Sequence, residues 1–319
     1  MTEFFGRVMM EGEGEMKVLV TGGAGFIGSH IVDLLVQSDI QVTILDNLST
    51  GSLRNINPKA SFVKKDIRDK DLRKLMECTG FNYVIHQAAQ TMVSNSLKNP
   101  YYDCDVNIRG LVNLLEASRW TGVKRIIFAS SAAIYGDTPI LPITEEGEKD
   151  PVSFYAESKL TGEHYLNLYQ KNFGLEYVAL RYANVYGERQ GDSGEGGVIS
   201  TFLNRLMHDQ RLTVYGDGKQ TRDFIYVKDV AMANYQALFT REANRSCNIS
   251  TVQETSLRDL IETLSRVCGK QPEVTNMAPR ENDIRHSVLD NQSAVSNLNW
   301  HPTYTLEEGL YSMLRAYQH

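Results

Sequence analysis

Residues 18–28 read VLVTGGAGFIG, an apolar β-branched run followed at once by a glycine-rich segment. The run predicts a strand, and the glycines at 22, 25 and 28 are spaced for a tight turn that leads into a helix. Such a turn lets backbone N–H groups approach a phosphate with no Cβ in the way, and it lets the helix pack close to the sheet. One glycine cluster is weak evidence by itself, so its sequence context matters.

That context is a regular alternation of short apolar runs and longer amphipathic stretches from residue 16 onward. Strands are predicted at Val18–Thr21, Val42–Leu45, Phe62–Lys64, Tyr83–His86, Arg125–Ser130 and Glu176–Leu180, and helices at Ile27–Gln37, Leu72–Cys78, Asn107–Trp120 and Phe154–Lys171. Strands that alternate with helices form βαβ units, in which the sheet is parallel and helices cover both faces. The predicted fold class is α/β, a doubly wound parallel sheet of the Rossmann type.

Composition excludes several classes of protein. With 42% hydrophobic residues among 319, the chain can bury a full core, so it is neither disordered nor fibrous. Its net charge of −6 and the lack of a long basic cluster argue against a nucleic-acid partner. No apolar run approaches the roughly 20 residues that span a bilayer, and the acidic start is unlike a signal peptide. The four dispersed cysteines and the histidine spacing predict free thiols, no metal site and a cytoplasmic location.

Asp46 ends the second predicted strand, 18 residues after Gly28. In dinucleotide-binding βαβ units a carboxylate in this place accepts hydrogen bonds from ribose hydroxyls, and its charge repels a 2′-phosphate. The glycine turn and Asp46 together predict an NAD site. Asp66, after the third strand, either meets the adenine edge or caps the helix that starts near Lys70, and the sequence leaves both interpretations open.

Domain organisation is predicted from a change in the sequence pattern after Asn184. Between Gly187 and Gly197 the chain has loop composition, and the later pattern of strands and helices is less regular. We expect a disordered leader at 1–15, an NAD-binding domain at 16–184, and a smaller α/β substrate-binding region at 185–319 that is partly interleaved with the first. Their shared cleft should lie at the carboxyl ends of the strands, where open α/β sheets bind ligands.

Three side chains predict the chemistry. Tyr155 and Lys159 are four residues apart on a predicted helix, so both lie on one face, and we expect the ammonium to lower the pKa of the phenol. Ser131, at the carboxyl end of a central strand, is expected to relay a proton between a substrate hydroxyl and the tyrosine, with Ser130 as the second choice. Beside an NAD site, these residues predict hydride transfer from a secondary alcohol.

The motifs TGGAGFIG at 21–28, DN at 46–47, YxxxK at 155–159, LRYAN at 180–184 and RDFIYV at 222–227 resemble those of the extended short-chain dehydrogenase/reductase family. Within it the chain is most similar to nucleotide-sugar enzymes of the UDP-galactose 4-epimerase type, over nearly all of residues 16–315. The resemblance implies a tightly bound, recycled NAD, a UDP-sugar substrate, and a homodimer that pairs through the helices predicted at Asn107–Trp120 and Phe154–Lys171.

The resemblance also implies which residues form the site. The positions that match the family's catalytic group are Ser131, Tyr155 and Lys159. Those that match its NAD contacts are Gly22, Gly25, Phe26, Ile27, Gly28, Asp46, Asn47, Ser49, Gly51, Asp66, Ile67, Gln87, Ala88, Ala89, Asn107, Tyr155, Lys159 and Tyr182. Those that match its substrate contacts are Ser131, Asn184, Val198, Tyr215, Arg222, Arg280, Asp283 and Ser287. The two arginines also make independent sense, because a guanidinium can bind pyrophosphate oxygens in a bidentate manner.

The expected reaction depends on the two residues directly after Ser131. Members of the family share a first step, in which the tyrosine removes the sugar 4-hydroxyl proton while the C4 hydride passes to NAD. Dehydratases of the family carry Asp-Glu directly after the serine or threonine, and decarboxylating relatives typically carry a Glu there. This chain has Ala132 and Ala133, whose methyl groups transfer no proton. We therefore expect return of the hydride to the opposite face of the 4-keto sugar, which is a redox-neutral 4-epimerisation.

Ser287 bears on the choice of sugar. By resemblance it stands where some epimerases carry a bulky Tyr and others carry Ser or Cys, which leaves room for an N-acetyl group. We expect UDP-Glc/UDP-Gal as substrates, with UDP-GlcNAc/UDP-GalNAc alongside. A UDP-glucuronate 4-epimerase, or another dehydratase or reductase of the family, is the alternative, and the conceivable donors to a uronate are Thr91, Ser94 and Arg189.

Overall fold

The structure is a computed structural model that describes residues 15–191, 197–279 and 284–318. Of the expected leader at 1–15, all but Glu15 lies outside the described residues. The strands are β1 (Lys17–Thr21), β2 (Gln41–Asp46), β3 (Ser61–Lys64), β4 (Tyr83–His86), β5 (Arg125–Ser131), β6 (Glu176–Tyr182), β7 (Asn184–Tyr186), β8 (Leu212–Tyr215), β9 (Thr221–Arg222), β10 (Phe224–Tyr226), β11 (Arg245–Ile249), β12 (Thr255–Ser256) and β13 (Val274–Met277).

The helices are α1 (Phe26–Gln37), α2 (Leu72–Thr79), α3 (Val93–Lys98), α4 (Pro100–Cys104), α5 (Gly110–Trp120), α6 (Phe154–Phe173), α7 (Val198–Met207), α8 (Val227–Phe239), α9 (Leu257–Cys268), α10 (Gln292–Leu298) and α11 (Leu306–Tyr317). A π-helical turn at Asp105–Arg109 joins α4 to α5, and a 3-10 turn at Ala132–Tyr135 follows β5. Across the described ranges, no helix is both long and apolar enough to cross a membrane.

Seven strands form one parallel sheet in the order β11-β6-β5-β4-β1-β2-β3, which confirms the doubly wound α/β class. The strand order reverses at β1, which pairs with β2 on one side and β4 on the other, so a crevice opens at the carboxyl ends of β1 and β4. The edge strand β11 comes from the second half of the chain and pairs with β6.

Helices cover both faces of this sheet. On one face α1 and α8 pack together around a core that includes Ile31 and Val230. On the other face α2, α5 and α6 pack around Met76, Leu114 and Leu166. Because both faces are covered, the central strands are almost wholly apolar and buried.

A third core lies beyond the carboxyl end of β6. It packs α7, α9 and α11 around β8 and β10, with Phe202, Leu212, Leu264 and Leu310 at its centre. β7 begins two residues after β6 ends, and β10 pairs with it in parallel. The chain therefore passes from the central sheet into this region at residue 183, directly beside the crevice.

The segment of α3 and α4 differs from the sequence prediction, which placed no helix between His86 and Asn107. These helices have only 6 and 5 residues, too few to show an apolar period. Local chemistry fixes α4 instead, because Asn99 Oδ1 accepts the Tyr102 N–H at 3.1 Å and Pro100 occupies the first helical position. The predicted start at Asn107 falls inside the π-helical turn.

Candidate active site

A cavity of about 710 Å³ lies at the carboxyl ends of the central strands. Its wall contains most of the residues that the sequence predicted for cofactor and catalysis: Gly22, Gly25, Phe26, Ile27, Gly28, Asp46, Asn47, Ser49, Asp66, Ile67, Gln87, Ala88, Ala89, Ser131, Tyr155 and Tyr182. The glycine turn and the Tyr/Ser pair, which are more than 100 residues apart in the chain, thus meet in one cavity.

The glycine turn is shaped for an anion. Gly22 has a φ of +70°, and a Cβ there would lie 2.6 Å from the Ala88 nitrogen. A Cβ on Gly28 would lie 2.1 Å from the Gly22 carbonyl oxygen, so α1 approaches β1 only because this residue is glycine. Gly25 precedes α1, and neither a capping side chain nor an acidic residue occupies the first turn. The first N–H groups of α1 therefore remain available to a phosphate.

Asp46 is held rigidly beside this turn. The carboxylate is 7% exposed, with Oδ2 accepting the Ala24 N–H at 3.0 Å and Oδ1 accepting the Leu48 N–H at 2.8 Å. A Cβ on Gly51 would lie 3.0 Å from Asp46 Oδ1, so Gly51 supports the position of Asp46 although it does not line the cavity. A fixed negative charge at the end of β2 suits ribose hydroxyls and disfavours a 2′-phosphate.

Asp66 does not cap a helix, so that interpretation is wrong. α2 begins at Leu72, with Asp71 at its N-cap, and Asp66 lies well before it. Asp66 forms a bidentate ion pair with Arg68, with both N–O distances at 2.7 Å, and accepts a hydrogen bond from Asn47 Nδ2 at 2.8 Å. The guanidinium holds the pKa of Asp66 well below its usual range. Asp66 therefore lines the cavity as a fixed carboxylate, and its contact with adenine stays a prediction.

The two serines at the end of β5 have different roles. Ser130 is 2% exposed, and its hydroxyl donates to Glu163 Oε1 at 2.6 Å. Ser131 is half-buried, and its Oγ accepts the Ala133 N–H at 3.2 Å. The hydroxyl hydrogen of Ser130 is thus directed into the protein, whereas the Ser131 hydroxyl lies at the cavity wall and interacts with Tyr155. This favours Ser131, the first choice from the sequence.

The Tyr155–Lys159 pair differs from the sequence expectation in its electrostatics. Lys159 is 4% exposed, its Nζ donates to the Ala129 carbonyl at 2.8 Å, and it lies 5.9 Å from the centroid of the Tyr155 ring. Burial lowers the pKa of Lys159 to about 8. Burial raises the pKa of Tyr155, with interaction with Ser131 opposing that rise. In the protein alone the phenol is therefore not acidified, because both groups have lost water and the ammonium bonds to a strand carbonyl.

Two predicted cofactor residues lie behind the cavity wall and not on it. Lys159 and Asn107 do not line the cavity, and Asn107 is 5% exposed. Its side-chain amide accepts the Gln90 N–H at 2.8 Å and donates to the Gln90 carbonyl at 2.9 Å. At the floor of the cavity, Gln87 Nε2 donates to the Tyr182 hydroxyl at 3.0 Å, and Asn234 bonds both.

Apart from Ser131, the predicted substrate residues that the structure describes lie in the region beyond the central sheet. Arg280 and Asp283 fall outside the described residues. Asn184 follows Ala183, which lines the cavity, and its N–H donates to the Asp223 carbonyl at 2.9 Å, beside Arg222. Five of the predicted substrate residues do not line the cavity: Asn184, Val198, Tyr215, Arg222 and Ser287.

The segments that carry these residues are nevertheless neighbours. The Thr221 N–H donates to the Arg285 carbonyl at 3.0 Å, and the Thr221 hydroxyl lies 3.0 Å from His286 Nδ1. Ser287 is therefore adjacent in sequence to a residue that contacts the strand carrying Arg222. The predicted substrate residues of β7, β9 and the 284–288 segment lie close together, next to the part of the cavity formed by Ala183 and Val185.

Several cavity residues were not assigned from the sequence, among them Lys65, Gln90 and Asn95. Lys65 directly follows β3, and Gln90 lies four residues after the end of β4. The rule that ligands bind at the carboxyl ends of parallel strands could have found both. Of the conceivable uronate donors, Thr91 and Arg189 line the cavity and Ser94 does not, while Arg189 forms an ion pair with Asp33 at 2.7 Å.

Comparison with known proteins gives concordant results. A family model described as the NAD dependent epimerase/dehydratase family matches residues 18–250. A protein of Methanocaldococcus jannaschii named as a putative UDP-glucose 4-epimerase is 48% identical over 294 residues, which cover 92% of this chain and 95% of that one.

Two solved structures that resemble this chain are also named as 4-epimerases. A UDP-glucose 4-epimerase of Thermotoga maritima, determined with UDP-glucose, superposes with a TM-score of 0.93 at 39% identity, covering 95% of this chain and 99% of that one. A UDP-N-acetylglucosamine 4-epimerase of Methanobrevibacter ruminantium, in complex with UDP-N-acetylmuramic acid, gives 0.91 at 36% identity, with 96% and 99% covered. With the family model and the relatives in agreement over most of its length, the chain belongs to the NAD-dependent epimerase/dehydratase family.

Proposed function

We propose that the chain interconverts UDP-glucose and UDP-galactose by NAD-dependent 4-epimerisation. The observation that carries the proposal is that Tyr155 and Ser131 line the same cavity as the glycine turn, while Ala132 and Ala133 follow the serine. Relatives at 48% and 39% identity carry the names putative UDP-glucose 4-epimerase and UDP-glucose 4-epimerase, which supports the same substrate.

The residues of the cavity fit NAD. The glycine turn and the open N–H groups of α1 would take the pyrophosphate, and the fixed Asp46 carboxylate would take a ribose. Bound there, NAD would supply an acceptor for the C4 hydride and the source of its return. Because the reaction has no net redox change, a cofactor held through the whole cycle needs no second substrate.

The proton chemistry belongs to the protein. With Tyr155 as the phenolate, the Ser131 hydroxyl would bind the sugar 4-hydroxyl, pass its own proton to Tyr155 and take the proton of the sugar; the reverse transfers would return the proton when the sugar carbonyl is reduced. Lys159 would keep a positive charge beside the phenolate. Ala132 and Ala133 provide no group that could add or remove a proton at C5 or C6, so the 4-keto sugar would return to a hexose.

The uridine diphosphate would supply the binding energy for the substrate. We assign its recognition to Asn184, Val198, Tyr215, Arg222, Arg280 and Asp283, with Ser287 beside the sugar. Support comes from the contacts that bring β7, β9 and the 284–288 segment together beside Ala183. Anchoring at the diphosphate lets the hexose be held loosely enough to turn over and present its other face.

We further propose that the enzyme accepts UDP-GlcNAc, because Ser287 is a small residue. A neighbour with 36% identity is named a UDP-N-acetylglucosamine 4-epimerase, in agreement with this proposal. A Ser287→Tyr variant should lose activity on UDP-GlcNAc and keep activity on UDP-glucose. Full UDP-GlcNAc activity in that variant would remove the basis of the assignment.

We also propose a homodimer that pairs through α5 and α6. Trp120, Leu168 and Phe173 are each more than half exposed on these helices. Large apolar side chains exposed together on neighbouring helices are typical of a protein interface.

The test of the proposed function uses the purified protein with no added cofactor. UDP-glucose, UDP-GlcNAc and UDP-glucuronate are incubated separately, and the C4 configuration of each product is read by NMR. We expect UDP-galactose from UDP-glucose. NADH that accumulates in proportion to product would identify a dehydrogenase, loss of water would identify a dehydratase, and conversion of UDP-glucuronate alone would identify a uronate epimerase.

A further inference from the structure

Asp103 is a buried acid that the proposed chemistry does not use. It lies in α4 and is 1% exposed. Its Oδ1 accepts hydrogen bonds from Gln90 Nε2 at 2.7 Å and from Asn107 Nδ2 at 3.3 Å. Both donors are neutral amides, and within residues 15–191, 197–279 and 284–318 the carboxylate has no ion-pair partner within 4.0 Å. Burial of such a charge is costly unless a positive charge lies within its field.

Hydrogen bonds link Asp103 to the catalytic helix. Asn107 Nδ2 also donates to Ser158 Oγ at 3.0 Å, and Ser158 Oγ donates to the Tyr155 carbonyl at 2.8 Å. α4 itself packs against α6. Asn107 lies in the π-helical turn, a type of irregularity that is frequent at functional sites. Gln90, the other hydrogen-bond partner of Asp103, lines the cavity. Asp103 therefore lies between the cavity wall and the backbone of Tyr155.

The field of Asp103 reaches both members of the Tyr155–Lys159 pair. Its negative charge raises the pKa of Tyr155 and raises the pKa of Lys159. For Tyr155 this acts in the same direction as burial, and for Lys159 it opposes burial. From the sheet, the Phe128 ring lies 5.0 Å from Lys159 Nζ and carries no charge, and His86 is kept neutral by burial, which lowers its pKa to about 3.

The remaining groups near the pair are neutral or compensated. Glu163, one turn beyond Lys159 on α6, pairs with Arg181 at 2.7 Å and is lowered in pKa by that pairing despite its burial. Tyr182 faces Tyr155 from β6, and burial raises its pKa to about 12, so it is uncharged at neutral pH. Among the described residues, Asp103 is therefore the acid that has no cation paired with it and whose charge acts on the Tyr155–Lys159 pair.

We propose that Asp103 is a positioning residue for the Tyr155–Lys159 pair: held by Gln90 and Asn107 between the cavity wall and α6, its buried carboxylate is the counter-ion that keeps the Lys159 ammonium charged. The proposal rests on the proposed function, because it deepens the role of that same site. Asp103 touches neither substrate nor cofactor in this account. The hydrogen bonds from Gln90 and Asn107 hold its carboxylate in place, and its charge acts on Lys159 through space.

The test is the variant Asp103→Asn, which keeps the shape and an acceptor oxygen for Gln90 and removes the charge. The titration of Lys159 is followed by ¹³C NMR of the lysine ε-carbons, with Lys159→Met to identify its signal. The pH dependence of kcat is measured in parallel. Loss of the Asp103 charge should lower the titration midpoint of Lys159 by about one pH unit. Because that charge raises the pKa of both Tyr155 and Lys159, the acid limb and the alkaline limb of the kcat profile should both move to lower pH.

The control is Asp209→Asn, which removes the same charge from a side chain that is 81% exposed and pairs with Lys270 on the surface. It should leave the Lys159 midpoint and the kcat profile unchanged. Asp103→Glu should keep the midpoint near that of the wild type, because the charge is retained. If Asp103→Asn does not fold, Asp103→Ser is used, with the same downward shift expected.

A Lys159 midpoint that is the same in the neutral Asp103 variant and in Asp209→Asn, or that moves upward, would overturn the proposal. The NMR titration needs no turnover. If the wild type fails to epimerise UDP-glucose while the Lys159 midpoint still shifts as expected, the proposed function is rejected and the charge-setting role of Asp103 stands.

Discussion

Tyr155 needs a positive charge nearby to act as a base, because burial raises the pKa of its phenol. The YxxxK spacing predicted the residue that would supply it and placed both side chains on one helix face. The spacing could not show that Lys159 is itself buried, with its ammonium bonded to the Ala129 carbonyl and its pKa lowered to about 8. Desolvation depends on neighbours from distant parts of the chain, so a local motif does not report it.

Replacing Tyr155 by Phe tests the proton transfer. We expect turnover of UDP-glucose to fall by roughly 10²- to 10⁴-fold, because Ser131 alone has no group to which it can pass the proton. The amount of NAD that copurifies should be unchanged, since the glycine turn and Asp46 are untouched. Product formation is measured by NMR and bound NAD by absorbance after denaturation. Tyr311→Phe, on the exposed face of α11, is the matched control, and equal turnover in the two variants would contradict the role of Tyr155.

Two glycines of the glycine turn should differ in how well they tolerate a side chain. A Cβ at residue 28 would lie 2.1 Å from the Gly22 carbonyl oxygen, whereas one at residue 25 would lie 3.2 Å from it. Gly28→Ala should therefore lose copurifying NAD and thermal stability, and Gly25→Ala should lose much less of either. Bound NAD and the melting temperature are compared in the two variants. An equal effect would show that contact with Gly22 does not govern the turn.

At the level of elements, the strands of the central sheet are the part that the sequence predicts best. β1, β4 and β5 are buried on both faces, so each is an apolar run that a local pattern can identify. α3 and α4 could not be predicted, because contacts with α6 and, for α4, the Asn99 cap define them rather than a period of apolar residues. The pairing of β11 with β6 joins residues far apart in sequence and leaves no local signal.

Breaking the ion pair between α6 and β6 should lower the free energy of unfolding. Glu163 and Arg181 are 8% and 7% exposed in their side chains, and Ser130 and Ser246 complete the hydrogen bonds of the carboxylate. Glu163→Gln leaves the guanidinium buried without its counter-ion, which should lower the free energy of unfolding by about 3 to 5 kcal/mol. Urea denaturation measures the change.

The control for this variant is Glu273→Gln, whose partner Arg211 is largely exposed, and it should change stability little. The pH dependence has a definite sign. Because the folded pKa of Glu163 is lowered, its contribution is present above the unfolded value and is lost as the pH falls. An acid-side loss of stability that is the same in wild type and Glu163→Gln would contradict this assignment.

At the scale of the whole molecule, the predicted cofactor residues were easier to find from the sequence than the predicted substrate residues. Gly22, Asp46, Gln87 and Ser131 each stand at or just after the end of a strand, and the parallel sheet brings strand ends together. Tyr215 and Ser287 lie in small strands and loops whose placement depends on long-range packing, so only the resemblance to a family pointed to them.

The exposed apolar side chains of α5 and α6 predict the state of association. Light scattering should give a mass of twice the 36.0 kDa of the chain. Leu168→Glu, which puts a charge among these side chains, should shift the protein toward the monomer with its fold retained by circular dichroism. Val274→Glu, an exposed apolar residue on β13, is the control and should stay dimeric. A wild type that is monomeric at micromolar concentration would contradict the proposed pairing.

The most direct test follows the hydrogen at C4. The purified protein is given UDP-glucose that carries deuterium at C4, together with an excess of unlabelled NAD and NADH in solution, and the UDP-galactose formed is analysed by mass spectrometry and NMR. In the proposed mechanism the same hydride returns and the cofactor stays bound, so the product should keep its deuterium at C4. Replacement of that deuterium by hydrogen from the added NADH, or product that carries it elsewhere, would contradict the proposed mechanism.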